Sequence, residues 1–236
     1  MLFKKLHSVL SKNAGVIVLL LVSLHICRLA FTKQLQLYVH PRYIVFSVVM
    51  AICALIIITF GVVHNRKQPK NHDSGTIFSL IVILATLLLV LLKPHVLSSY
   101  TSRERSGGSS YVEPGTPKRI NLSRNTESVR LKDWVSLIND PTTSTYVLGK
   151  VVYANGFVSK VSSSDYFYVS RFIVTCCAVD ARPVQLKVYS PGWQNAYSED
   201  DWVNVTGTFI QEPNGEIVIK PSKLEKTDRP VDPYEY

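Results

Sequence analysis

The chain has 236 residues, 47% of them hydrophobic, four cysteines and a formal net charge of +9. That charge belongs to residues 1–97, where ten Lys/Arg face the single acid Asp73; residues 98–236 carry sixteen of each sign. Basic residues flanking apolar runs anchor helices at lipid headgroups, and a neutral remainder argues against nucleic acid as a partner. The cysteines form no disulfide framework either. Cys27 and Cys53 lie in apolar runs, and the adjacent Cys176 and Cys177 could pair with each other only through a strained ring.

In chain order, three apolar runs come first, at about 14–31, 43–63 and 76–92. The second has no charge over 21 positions and reaches roughly 31 Å at about 1.5 Å per residue, one hydrocarbon thickness. The third ends at Lys93-Pro94. The first is broken by His25 and Arg28. Because Lys4 and Lys5 precede it, it also has the outline of a signal peptide, but Ile26 to Phe31 offers no small-x-small cleavage site, so it is read as a retained helix. Residues 1–97 are therefore predicted to be a multi-pass transmembrane region of the cell membrane, with the lipid bilayer as its first partner. Lysines and arginines summed over the loops barely favour one orientation. Lys4 and Lys5, ahead of the first span, favour a cytoplasmic N-terminus and so an extracytoplasmic C-terminal domain. His25 and Arg28, three apart, share a helix face. They form either a polar seam against a partner helix or a packed histidine beside an arginine that snorkels to the interface. His64 and His72 flank a polar loop and read as solvated.

Residues 98–118 are rich in Ser and Gly and then carry Pro114 and Pro117, the composition of a flexible tether with a stiffer end. Between Glu127 and Asn139, Val129, Trp134, Val135, Leu137 and Ile138 recur at helical spacing before Asp140-Pro141, predicting a short amphipathic helix. From Thr145 onward β-branched and aromatic residues dominate. The pattern predicts strands at 145–159, 165–174, 184–190, 201–211 and 215–225, the last two joined by a Pro213-Asn214-Gly215 hairpin. Gly156 and Gly207 fall inside strands, where glycine marks a bulge or a sharp bend. The predicted fold is a membrane-anchored α+β chain: three N-terminal transmembrane helices, then a short helix and a five-stranded OB-like β-barrel over 119–236. A small β-sandwich is the alternative.

One cluster could carry chemistry: Arg171-Phe-Ile-Val-Thr-Cys-Cys-Ala-Val-Asp-Ala-Arg-Pro183, between the second and third strands. Cys176, Cys177 and Asp180 would make a soft metal set if the backbone turned sharply, with Thr175, Arg171 and Arg182 supporting. Alternatively, Arg171 or Arg182 lowers a thiol pKa and makes a redox or nucleophilic cysteine. In a third reading one cysteine is core, the other a quiet surface thiol, and Asp180 caps a turn. No Gly-rich phosphate loop, Cys-x-x-Cys or nucleophile elbow is present. Asn121 and Asn204 begin Asn-x-Ser/Thr triplets, a common pattern by chance.

Three stretches, Tyr38-Val-His-Pro-Arg-Tyr43, the Thr-Cys-Cys segment and Pro233-Tyr-Glu-Tyr236, together resemble a largely uncharacterised bacterial family. It is known mainly as the small subunit of a two-component membrane permease complex. The order of apolar helices, linker and β domain, with Trp202-Val-x-Val-x-Gly207, is similar across nearly the whole chain. Val179 departs from the family's Ala-Asp-Ala, and Gln185 stands where a glycine is often found. The resemblance implies a larger polytopic permease subunit as partner, with this chain as accessory, and it points to zinc as the metal for Cys176 and Cys177. The expected function is thus an accessory permease subunit whose tethered domain binds metal or substrate. The alternative is a membrane-anchored thiol-redox or metal-dependent enzyme using Cys176 or Cys177. A third reading, single-stranded nucleic acid stacked on Tyr153, Phe157, Tyr166 and Tyr168, lacks the basic groove such binding requires.

Overall fold

The computed structural model describes residues 14–64, 76–106, 126–161 and 165–236. The chain divides into two compact units, Met1–His95 and Val96–Tyr236. Several sequence expectations lie outside the described residues: Lys4, Lys5 and Lys12, the second-loop residues Arg66, Lys67, Lys70, His72 and Asp73, the triplet at Asn121, and residues 107–118.

The first unit holds helices α1 (Ala14–Phe31), α2 (Pro41–His64) and α3 (Thr76–Leu91). Helix α2 begins earlier than its apolar run because His40 caps it: Nδ1 accepts the Arg42 N–H at 3.0 Å. Pro41, preset for a helix and lacking an N–H to satisfy, takes the first position. The ring of His40 meets Tyr43 edge-on at 6.1 Å between centroids. Helix α1 packs against both α2 and α3. Small side chains, Ser23, Ala51 and Thr86, are among the few buried residues, as expected where helix backbones approach closely. Bulky ones face outward; Val45, Phe60, Ile77 and Leu91 are each at least 70% exposed.

Two helices, Ala14–Phe31 and Pro41–Gly61, are long and apolar enough to cross a membrane, a test that a signal sequence also passes. The third predicted span is shorter than expected. With 16 residues, α3 reaches about 24 Å, under the roughly 30 Å of a hydrocarbon core.

The second unit begins with a helix where the tether was expected. Helix α4 (Ser99–Ser106) has no apolar period to betray it, and polar contacts to the β domain hold it instead. Helix α5 (Leu131–Asn139) follows with Leu131, Trp134, Val135 and Leu137 buried. It starts four residues later than the Glu127 predicted, after the N-cap Arg130, whose backbone and side chain both donate to Asp133. The strands are β1 (Val151–Lys160), β2 (Tyr166–Ile173), β3 (Arg182–Tyr189), β4 (Trp202–Gln211), β5 (Ile217–Thr227) and β6 (Tyr234–Glu235). The first strand is shorter than predicted. Residues Ser144–Val147 form a 3-10 turn and Gly149 takes a φ of 75°, so the apparent strand from Thr145 is broken.

The α+β unit is built on one six-stranded sheet ordered β1-β4-β5-β3-β2-β6, with a further pairing of β1 to β2. It is not the closed five-stranded barrel predicted. Strands β3 and β5 meet through one registered parallel pair, Val188 opposite Ile219, and a sixth strand was missed. That strand, β6, is only two residues long and runs parallel to β2, with Phe172 opposite Tyr234 and Ile173 opposite Glu235.

Gly207 marks the bulge its position predicts, whereas Gly156 marks a close backbone approach in place of a bulge or bend. The β4–β5 register slips at Thr206/Gly207, and a Cβ on Gly207 would lie 2.5 Å from the Lys220 carbonyl oxygen. At Gly156, just before the residues of β1 that pair with β2, a Cβ would lie 2.5 Å from the Ser170 oxygen. The hairpin is also as predicted: Gly215 has a φ of 86° and its N–H donates to Glu212 O at 2.8 Å.

Two apolar clusters hold the unit. The larger gathers Trp134 with residues including Val152, Val158, Phe167, Val169, Val184, Val188, Phe209 and Ile219. The Trp134 and Phe209 rings lie 5.0 Å apart. The smaller joins Phe157, Phe172, Val174, Ala181, Trp202 and Tyr234, with Val96, Leu97 and Tyr236 packed against it. Phe157, stacked on Phe172 at 5.6 Å, is therefore core and not a base-stacking platform.

Candidate functional site

The Thr-Cys-Cys segment forms the turn between β2 and β3. Its backbone reverses tightly, with the Asp180 N–H donating to Cys177 O at 3.0 Å. The Asp180 carboxylate then folds back under the cysteines. Oδ2 accepts the Cys176 N–H at 2.7 Å, and Oδ1 accepts those of Thr175 and Cys177 at 3.3 and 3.4 Å. Three successive N–H groups converging on one anion form a nest, and here the chain fills it from within.

Helix α4 braces the turn. Arg105 Nη1 donates to Ala178 O at 3.0 Å and to Ala181 O at 2.9 Å. The same helix is tied down by Ser99, whose N–H reaches Asp200 at 2.6 Å, and by the Arg103–Glu199 pair at 2.7 Å. Buried Ser102 accepts from Gln185 Nε2 at 3.1 Å, and that amide also reaches the buried Ser170 hydroxyl at 3.2 Å. Sequence reasoning missed Arg105 because it sits in a Ser-rich polar stretch with no apolar signal.

Cys176 is exposed and Cys177 half-buried, and both are free thiols. The neighbouring Cys177 thiol, the local burial and the Asp180 charge together push the Cys176 thiol above its ordinary pKa. That keeps it protonated, the opposite of an activated nucleophile. The two arginines do not supply the activation expected of them. Arg171 is engaged elsewhere: Nη2 donates to Asn155 at 2.9 Å, Nη1 lies 3.5 Å from Glu235, and the guanidinium lies over the Trp202 ring at 5.4 Å. Arg182 is exposed at the start of β3.

As a zinc site the turn fits poorly. Asp180 spends its oxygens on three N–H groups, the exposed thiol is held protonated, and zinc wants four deprotonated or neutral ligands. Among the described residues, no group of three or more His, Cys, Asp or Glu side chains could hold a metal ion. In the first unit, His25 is half-buried on α1 with Nδ1 lacking a hydrogen-bond partner, and Arg28 is exposed at the helix end.

The second polar cluster, around Arg171, was not anticipated as a unit. The side chain of Glu235 is 4% exposed beside that guanidinium, with Oε2 unpartnered. Burial pushes its carboxyl above the ordinary glutamate range, although Arg171 opposes the shift. Near the same strand, Arg130 Nη1 and Lys132 Nζ donate to the Tyr236 backbone oxygen at 3.0 and 2.6 Å.

Comparison with known proteins adds little about chemistry. No curated protein matches the chain. A solved structure titled "OBody AM1L10 bound to hen egg-white lysozyme" is similar at 17% identity, covering 36% of this chain and 85% of that one. Its TM-score is 0.26, too low to bear on the fold. A family model, by contrast, spans the whole β domain with its preceding helix: a DUF1980 C-terminal domain is found at residues 121–236.

Proposed function

We propose that the chain is an accessory subunit of a membrane permease complex, held in the cell membrane by its three N-terminal apolar helices. Its OB-like β domain stands on the extracytoplasmic side as a recognition module. The observation that carries this reading is the outward apolar surface of α1–α3. Phe31, Phe60, Ile77 and Leu91 are 92%, 74%, 75% and 70% exposed, and such a surface is stable only against lipid or another apolar protein face. The larger polytopic subunit implied by the sequence resemblance is a partner of that kind. The short α3 suits it as well, since a helix under one hydrocarbon thickness is relieved by association with neighbours.

The thiol-enzyme reading has less support. The Cys176 thiol is raised rather than lowered, and Asp180 serves the turn. Extraction of the full chain in mild detergent tests the proposal. A larger multi-span protein should co-purify in constant ratio; a lone species under the same conditions would overturn the assignment.

A further inference from the structure

We propose that the turn between β2 and β3 is a two-sulfur site for a soft monovalent cation, Cu(I), bound by Cys176 and Cys177 alone. On an extended strand successive N–H groups alternate in direction, and neighbouring side chains leave opposite faces. The backbone here is curled instead. It bends at Thr175 and Cys176, and the N–H groups of Thr175, Cys176 and Cys177 all reach the one Asp180 carboxylate. The two thiols then come close enough to hydrogen-bond each other. Adjacent cysteines held in this way are a ready bidentate ligand. Cys176 is exposed and Cys177 half-buried, so an ion can enter from solvent.

The number of ligands selects the ion. Among the described residues no set of three His, Cys, Asp or Glu side chains could hold a metal, so the turn offers its two sulfurs and nothing more. Zinc, which takes four ligands, is left short. Cu(I) is soft and has a filled d shell; it takes thiolate sulfur in preference to oxygen, and two sulfurs suffice for it.

Asp180 contributes charge rather than coordination. Its field hinders loss of the Cys176 proton, and the same field favours a cation in the proton's place. Binding exchanges one Cu(I) for two protons: both S–H bonds break, two Cu–S bonds form, and no oxidation state changes. The bis-thiolate so formed carries one negative charge. The hydrogen bonds from Arg105 to the Ala178 and Ala181 carbonyls brace the turn before any ion arrives. The site does not depend on the permease assignment, which co-purification tests separately.

The test titrates the full chain, reduced and oxygen-free in detergent, into the Cu(I)–bicinchoninate complex, whose colour fades as copper leaves it. One Cu(I) per chain should transfer. Cys176→Ser and Cys177→Ser should each weaken uptake about a hundredfold or more. The double variant Cys27→Ser/Cys53→Ser, which removes the two helix cysteines, should bind as the wild type does. X-ray absorption at the copper edge of the loaded wild type, a readout that needs no variant, should show two sulfur neighbours and no nitrogen or oxygen. No transfer, undiminished uptake in either turn variant, uptake lost with Cys27 and Cys53, or a nitrogen or oxygen neighbour would each overturn the site.

Discussion

The Asp180 carboxylate accepts the Cys176 N–H at 2.7 Å, so the acid offered by the sequence as a metal ligand is the group that closes the cysteine turn. The Cys176 thiol is held protonated rather than activated, chiefly by its hydrogen bond with Cys177 and by local burial, with the Asp180 charge adding in the same direction.

Alkylation measures this directly. At neutral pH, Cys176 should react with iodoacetamide more slowly than free cysteine despite its exposure, because only the thiolate attacks. Its largest raising influence is the hydrogen bond with Cys177, so Cys177→Ser should accelerate modification of Cys176. Mass spectrometry of timed reactions reads both. Equal or faster alkylation of the wild type relative to free cysteine would contradict the geometry.

Glu235 gives a pH signature. Its folded pKa lies above the unfolded value, so the folded state binds the extra proton across the interval between them. The corresponding stability is full below the ordinary glutamate pKa and is lost as pH rises through the raised value. Thermal midpoints of wild type and Glu235→Gln should therefore diverge as pH increases through this interval, the wild type losing more. Parallel curves would show that Arg171 fully offsets the burial.

Gly207→Ala should destabilise the β domain by about 1–3 kcal/mol, the usual cost of forced overpacking. The new methyl would sit 2.5 Å from the Lys220 carbonyl oxygen of β5 and 2.9 Å from the Pro221 Cα, backbone atoms that leave little room to shift. Gly156→Ala should behave alike. By comparison, alanine at Gly15, where nothing lies within 4 Å, should be nearly silent in the same chemical denaturation.

Arg105→Ala should release the turn from helix α4. Two charge-assisted hydrogen bonds are lost at a partly exposed position, so about 1 kcal/mol is expected. The more telling readout is hydrogen exchange: amides of residues 175–177 and of α4 should exchange faster while those of β4 remain protected. Unchanged exchange would mean that Ser99, Ser102 and Arg103 hold the helix alone.

The apolar helices, the amphipathic α5 and the main strands were legible because burial periodicity writes itself into composition. Gly207 and the Pro213-Asn214-Gly215 hairpin were legible because only certain residues tolerate those backbones. What escaped was held by contacts between residues far apart in sequence. Helix α4 has no apolar period and is fixed by Asp200, Glu199 and Gln185. Strand β6 is too short to show alternation and forms only because β2 offers an edge. The capping role of His40 was present in the His-Pro pair but masked by the rarity of histidine as a helix cap. The sheet's incomplete β3–β5 junction could not be read from strand lengths, since it depends on where Val188 and Ile219 stop pairing.

The two-residue β6 has a mechanical consequence. The Leu97 N–H donates to the Tyr234 hydroxyl at 3.4 Å, and the Glu235 carbonyl accepts the Val174 N–H at 3.0 Å. The chain entering the β unit is thus linked, through one short strand, to the residue just before Thr175. Tension applied at Val96 would reach the cysteine turn through these hydrogen bonds without crossing the main apolar core.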